Sequence, residues 1–294
     1  MKCIVCVLSL LIAAATPTFA QPCAKAAKEV KPVLSDSARL AHSEKLEIAA
    51  HSYTAEPTAD NLIWFGRRKG YLGHYKDAIV VLTAGVAKFP KDARMYRHRG
   101  HRYITLRCFD DAILDLETAA KLIKGKPDEV EPDGLPNAQN IPTSTLQSNI
   151  WYHLGLAYYL KGDFKKAIEA YKECLKVSKN PDMLVATSHW YYMALRRTEN
   201  FKDAEKVLVA IDGDVEVIEN EDYLKLLRLY RGEVRPEMLL EMIDSADSLG
   251  SASLGYGVGN WFLSNRDKSR ARQIFRKVIN GNQWASFGYI AAEA

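Results

Sequence analysis

The sequence predicts an all-α solenoid of helix–turn–helix repeats, and three observations predict it. Trp151–Leu175, WYHLGLAYYLKGDFKKAIEAYKECL, reads as two amphipathic helices joined at Lys161–Gly162–Asp163, with apolar residues at helical rather than strand spacing. Ala78 and Ala112, at matching places in two such units, lie 34 residues apart. Within each unit, small residues stand where two helix backbones must approach closely, and large aromatics fill the gaps. Leu154, Gly155 and Tyr158 fall on one face of the first helix of the 151–175 unit, and Ala167 and Tyr171 on one face of the second.

The order of these residues, W…LG…Y…A…F, resembles the tetratricopeptide repeat (TPR) family. The resemblance implies a right-handed α-solenoid of TPR helix–turn–helix repeats. It also implies a concave groove lined by the first helix of each hairpin, with a protein or peptide partner held there. Each hairpin alone leaves an apolar face exposed. Stacking buries those faces in one continuous core, so stability is mostly a nearest-neighbour sum.

Met1–Ala20 reads as a secretory signal: Lys2, the apolar run Ile4–Ala15, and a small-x-small cleavage site Thr18-Phe19-Ala20 before Gln21. The apolar run is short for a bilayer span, and no later run is long enough, so no transmembrane segment is expected in the mature chain. Ala20-Gln21-Pro22-Cys23 lacks the small, apolar residues of a lipobox. The expected location is exported, periplasmic or secreted.

Residues 21–58 are expected to hold a flexible leader, Gln21–Lys31, and a helix from Ser37 to about Ser52 capped by Ser35 or Asp36. Leu40, Leu46 and Ile48 give that helix a narrow apolar stripe with which to shield the end of the stack. Repeats fill 59–212. The first spans Ala59–Pro90 with Gly66, Gly73, Ala78 and Leu82. The second starts near Ala93, with Tyr96, Gly100, Tyr103, Ala112 and Leu116. The spacing from Ala112 to the matching Ala167 is 55, which places a 21-residue insertion at Gly125–Thr145 that must loop out. Ser144 with Gln147 is expected to cap the next helix reciprocally. The fourth repeat follows Asn180-Pro181. Residues 213–294 hold a degenerate helix pair (222–231 and 236–243), a last repeat with Gly259, Ala271 and Phe275, and a final helix, 283–294, that can cover the C-terminal end.

Composition narrows the function. Without Lys2, 39 basic residues face 36 acidic ones, a balance that gives no reason to expect nucleic acid. Removing the signal discards Cys3 and Cys6 and leaves Cys23, Cys108 and Cys174. An odd count does not suggest a disulfide framework, and Cys174 occupies a core alanine position of its repeat. There is no HExxH and no phosphate-binding loop. Gly250–Gly255 has one residue too many for a nucleophile elbow and no strand before it, and reads as a polar interhelix loop. Gly255, Gly257 and Gly259 read as sites of close helix packing. Glu129–Gly134 opens like a calcium loop, but Glu stands twice for Asp, Pro132 and Pro136 stiffen it, and Asn140 stands where a bidentate Glu belongs. A solvated acidic loop is the expected outcome. No metal, cofactor or catalytic residue is assigned.

The unusual segment is Arg94–Tyr103, RMYRHRGHRY. Helical spacing puts Arg94, Arg97, His98 and His101 on one face, which the resemblance makes concave. Neighbouring first helices add Trp64 and Arg67, then Asn149, Tyr152, His153 and Tyr159, then His189, Met193 and Arg196. His98 and His153, at equivalent positions, are expected to be neighbours. Three readings compete. One is a solvated basic face paired with acids of the insertion. One is a site for an anion or peptide carboxylate. The third is a histidine metal site, against which the adjacent arginines argue. The clamp of chaperone-binding TPRs is not reproduced. The sequence therefore favours a non-catalytic exported scaffold binding a protein or peptide, which can carry an anionic group, through Arg67, Arg94, Arg97, His98, His101, Tyr152, His153, His189 and Arg196. A solenoid-based enzyme, or a binder of a small anionic ligand, is the alternative, with the insertion as a lid.

Overall fold

The computed structural model describes residues 22–211, 215–245 and 250–294; the expected signal, 1–20, lies outside the described residues. Among the described residues every regular element is an α-helix, with one isolated bridge between Val130 and Thr145. After α1 (Pro22–Ala26) and α2 (Asp36–Ala55) come four hairpins. These are α3 (Ala59–Tyr71) with α4 (Tyr75–Lys88), α5 (Ala93–Thr105) with α6 (Phe109–Ile123), α7 (Leu146–Leu160) with α8 (Phe164–Val177), and α9 (Pro181–Arg197) with α10 (Phe201–Val209). Two more pairs follow, α11 (Glu221–Tyr230) with α12 (Pro236–Ser245) and α13 (Gly250–Ser264) with α14 (Lys268–Ile279), and α15 (Phe287–Glu293) closes the chain.

Each hairpin turns the same way. One residue of every turn lies in the left-handed region: Gly73, Arg107, Gly162, Glu199, Gly232 and Arg266, with φ between 57 and 83°. The recurrence includes the pair α11–α12, whose sequence is far from the pattern. Packing inside the hairpins follows the small residues. Gly66 lies under Leu82, Gly100 under Leu116, Gly155 under Tyr171 and Gly259 under Phe275. A Cβ on Gly155 would sit 2.5 Å from the Tyr171 ring, closer than van der Waals contact allows. Gly255 and Gly257 meet Val278 and Leu226 in the same manner, so these glycines serve helix packing. The 250–255 segment, expected as a loop, lies within α13. Ala167, Tyr171 and Cys174 are fully buried. First helices α3, α5, α7 and α9 touch one another in series, whereas the second helices are spread apart. The stack is an α-solenoid, concave on the first-helix side.

Further expectations need correction. The leader is not free. Cys23 and Cys108 form a disulfide, Ala24 is buried, and Glu29 accepts the Lys76 backbone N–H at 2.8 Å. The odd cysteine count concealed this pair, because Cys174 is the one left buried and free. Secondly, Leu40 and Ile48 of α2 are exposed and Ala49 is its buried residue; Ser35 caps the helix, accepting the Ala38 N–H. Thirdly, the cap before α7 is Thr145 with Ser148, one residue beyond Ser144 and Gln147. Those two bind elsewhere: Ser144 accepts from Asn149, and Gln147 donates to the Lys126 carbonyl.

The disulfide closes a loop of 85 residues. A disulfide is typically worth about 2–4 kcal/mol, and chain entropy puts a loop of this length at the upper end or slightly above. Reduction, or Cys23→Ser, is expected to lower the melting temperature by several degrees and to expose the 22–34 segment to protease ahead of the repeats. Equal melting curves and equal cleavage with and without reductant would contradict this.

The insertion does not loop out. It folds back over the first-helix side. Arg68 donates to the Gly134 carbonyl at 2.9 Å, and Asn180 donates to that of Thr143 at 2.7 Å. Thr143 reaches Glu219 at 2.6 Å. Glu219 is itself fixed by Asp182, whose carboxylate accepts the backbone N–H groups of Ile218, Glu219 and Asn220.

The C-terminal quarter returns across the concave side instead of capping only the end. Tyr159 and Tyr256 share a hydroxyl–hydroxyl hydrogen bond at 2.7 Å, and Trp190 stacks on Tyr256. Phe287 of α15 packs against His101, Tyr152 and His153. Arg107, in its left-handed turn, pairs with Glu293 at 2.5 Å, donates to the Trp284 carbonyl, and lies over the Trp284 ring.

Candidate functional site

Asp92 caps α5 by accepting the Arg94 N–H, and from there successive side chains part in different directions. Arg94 is held at the edge by Asp92 and Asp60, at 2.6 and 2.5 Å. Arg99 turns inward between α5, α6 and α4. It forms a buried two-pronged pair with Asp115, both bonds 2.7 Å, and donates to Thr83. Arg97, His98, His101 and Arg102 face a cavity of about 100 Å³ whose other wall is Arg67 and Tyr71 of α3. Arg94 therefore leaves the expected cluster. Arg102, four residues beyond His98, joins it; its place in the same helical row was the available signal.

The cavity edge carries an acid that composition alone placed in solvent. Glu131 of the insertion is buried, 6% exposed, with a carboxylate oxygen 2.9 Å from Arg97 Nε and the other 3.6 Å from His98 Nε2. The Arg97 contact is a charge contact without the alignment of a hydrogen bond. Asn149 adds a donor to Glu131 at 3.3 Å. Arg97 Nη1 lies 3.1 Å from His98 Nδ1. An arginine can only donate, so Nδ1 accepts and the imidazole proton sits on Nε2, toward Glu131.

The three histidines here are neutral. Burial, then Arg97 and the other arginines, hold His98 well below the usual imidazole range. Burial and Arg102 do the same for His101, and burial and Arg97 for His153. His153 donates from Nδ1 to the Asn149 carbonyl at 2.6 Å and packs at a tilt against His101, ring centres 4.5 Å apart. The ring partner of His153 is thus His101 rather than His98. Arg102 sits at the other extreme: burial, with Arg97 and Arg67 nearby, lowers it to about 10.

The remaining expected residues do not line the cavity. Tyr152 and His153 are covered by Phe287. His189 is fully buried, stacked on Tyr223 and Tyr230, and burial lowers it to about 3. Arg196 ties α9 to α13, donating to Tyr192 and to the Ser264 carbonyl. Met193 is core, and Trp64 carries the Arg67 and Arg68 guanidiniums on its ring.

A roomier opening lies between α6 and α8 along the flank of α7, about 990 Å³. Ala120, Ile123, Trp151, Leu154, Ala170 and Val177 form its apolar surface. Lys121, Lys124 and Lys126, with Glu117, line the α6 side, and the α8 side is mixed, with Lys166, Glu169, Glu173 and Lys176. Helical periodicity alone did not reveal it, because it arises from the spread of two second helices. The free thiol, Cys174, is not part of it; buried against Ser148 and Thr187, it is pushed up to about 11 by burial.

Residues 148–181, α7 and α8 with their flanks, match the family model described as tetratricopeptide repeat. That match supports the TPR family. In sequence the chain is similar to BBSome complex member BBS4 from Bos taurus, 29% identical over 144 residues. Those residues are 49% of this chain and 24% of that protein, so the chain spans about a quarter of the length of that relative. In structure it is similar to a tetratricopeptide repeat protein from Parabacteroides merdae, at TM-score 0.50 and 16% identity, covering 85% of this chain and 92% of the other. It is also similar to YrrB, described as a TPR protein with an unusual peptide-binding site, at TM-score 0.45 and 14% identity, covering 82% and 96%. At 16% identity the Parabacteroides structure shows the fold alone. No helix among the described residues is long and apolar enough to cross a membrane.

Proposed function

We propose that this chain is an exported, non-catalytic TPR scaffold that holds a protein or peptide partner. The reading moves the partner from the concave groove to the cleft between α6 and α8. The concave surface at His101, Tyr152 and His153 already carries Phe287, whereas the cleft presents apolar side chains in about 990 Å³ of open space. That volume is of the size ligand sites occupy. Lys121, Lys124 and Lys126 along one rim favour a segment that pairs apolar side chains with carboxylates. Neutral histidines and a thiol held protonated argue for binding rather than chemistry, since the reactive form of cysteine is the thiolate. The disulfide supports export, because such bonds persist in oxidising compartments.

Peptides selected from a random library on the full mature chain should be enriched in acidic residues flanking apolar ones. Lys121→Glu with Lys124→Glu is expected to weaken them at least tenfold, and rising salt to weaken them progressively, since exposed charges are screened within about 8 Å at physiological ionic strength. Selected peptides indifferent to both would place the partner elsewhere. N-terminal sequencing of protein from its native host is expected to begin at Gln21; an uncleaved Met1 would remove export.

A further inference from the structure

The cavity between α3 and α5 is short of negative charge. Three guanidiniums, Arg67, Arg97 and Arg102, line it, and no carboxylate does. Glu131 reaches Arg97 and His98 from the edge, and Asp133 lies near Arg67. Among the described residues no carboxylate pairs with Arg102. Around it are the phenols of Tyr71 and Tyr75 and the two other arginines. His98 and His101 are neutral, so they add hydrogen-bonding nitrogens without deepening the positive field. Arg102 is part-buried, and a partly desolvated cation gains from a counter-ion; the cavity leaves space in front of it for one.

That space has a size and a shape. Its roughly 100 Å³ is several times what one water needs on this measure, about 10–15 Å³. It is far too small for a folded segment or a peptide strand. Its donors come from two helices: Arg97 and Arg102 from α5, Arg67 and Tyr71 from α3. Donors converging from two helices suit a compact, three-dimensional oxyanion better than a planar one, and guanidinium forks bind such oxygens in pairs. We propose that the cavity between α3 and α5 binds one inorganic oxyanion of the phosphate–sulfate class, with Arg102 as its principal counter-charge and Arg67 and Arg97 beside it. The site is separate from the α6–α8 cleft and stands whether or not a peptide binds there.

The test uses the full mature chain with its disulfide intact. Sodium phosphate or sulfate, against sodium chloride at equal ionic strength, is expected to raise the melting temperature by several degrees in a saturable way. Equilibrium dialysis with labelled phosphate should give one ion per chain. Arg102→Gln should abolish both effects while melting in chloride at or above the wild-type temperature, because it removes the cation that lacks a partner. Should that variant not fold, dialysis of the wild-type chain decides alone. Three results would overturn the proposal: no phosphate or sulfate retained by the wild-type chain, a shift that survives in Arg102→Gln, or acetate matching phosphate at equal concentration.

Discussion

Arg99→Ala is expected to cost about 3–5 kcal/mol, the loss seen when one partner of a buried ion pair is removed. Arg99 and Asp115 are 8% and 4% exposed and join α5 to α6 through two bonds of 2.7 Å, with Thr83 of α4 taking a third. Truncation strands the Asp115 carboxylate among apolar neighbours, including the α6 core residues Ala112, Leu116 and Ala119. The double substitution Arg99→Met with Asp115→Leu should recover most of the loss, since the stranded charge is the main penalty. Urea denaturation of the three variants at pH 7 measures it. A single-variant loss below about 1 kcal/mol, the range of exposed pairs, would mean that the pair is solvated in solution.

Mild acid is expected to have the second large effect. His98, His101, His153 and His189 are all held below the usual imidazole range by burial first. In the unfolded chain each takes up a proton near pH 6.5; in the folded chain it does not. The unfolded state therefore binds more protons as pH falls, and stability is lost from about pH 6.5 downward and is flat above it. One unit below 6.5, a histidine that stays neutral in the fold costs about 1.4 kcal/mol, so the four together cost at most roughly 6 kcal/mol at pH 5.5. That is a large part of an ordinary domain's stability. Melting temperatures at pH 7.5, 6.5 and 5.5 test this. His189→Phe, which keeps the stack on Tyr223 and Tyr230, should remove about a quarter of the slope. A flat profile would mean that the imidazoles accept protons in place.

The helices were readable because their cause is local. Apolar spacing, small residues under large ones and caps repeat at a fixed period, so each hairpin can be found from its own residues. The site was half readable for the same reason. Arg97, His98 and His101 share a helical row and meet as expected. Arg94 belongs to that row but is drawn off by Asp92 and Asp60. His189 stands on a first helix as well, yet α11 covers it with Tyr223 and Tyr230. What stayed hidden is non-local. That acids of the insertion could pair with the basic face was one of the readings, but nothing near Glu131 singles it out or shows that the pair with Arg97 is buried. Nothing near Phe287 points to His153, more than a hundred residues earlier. Cys23 finds Cys108 only once the first two hairpins have stacked.

The turn between α5 and α6 carries an implication for how the molecule comes apart. Its two central residues hold opposite ends of the chain: Cys108 is bonded to Cys23, and Arg107 grips Trp284 and Glu293. An open array frays from its ends, and each unit's stability can be counted with its neighbours alone. Here the first and last described helices are both moored to the second hairpin. The topology is that of a ring with one clasp. Loss of the last hairpin would be felt in the second, and the chain should melt in one cooperative step until the clasp is cut.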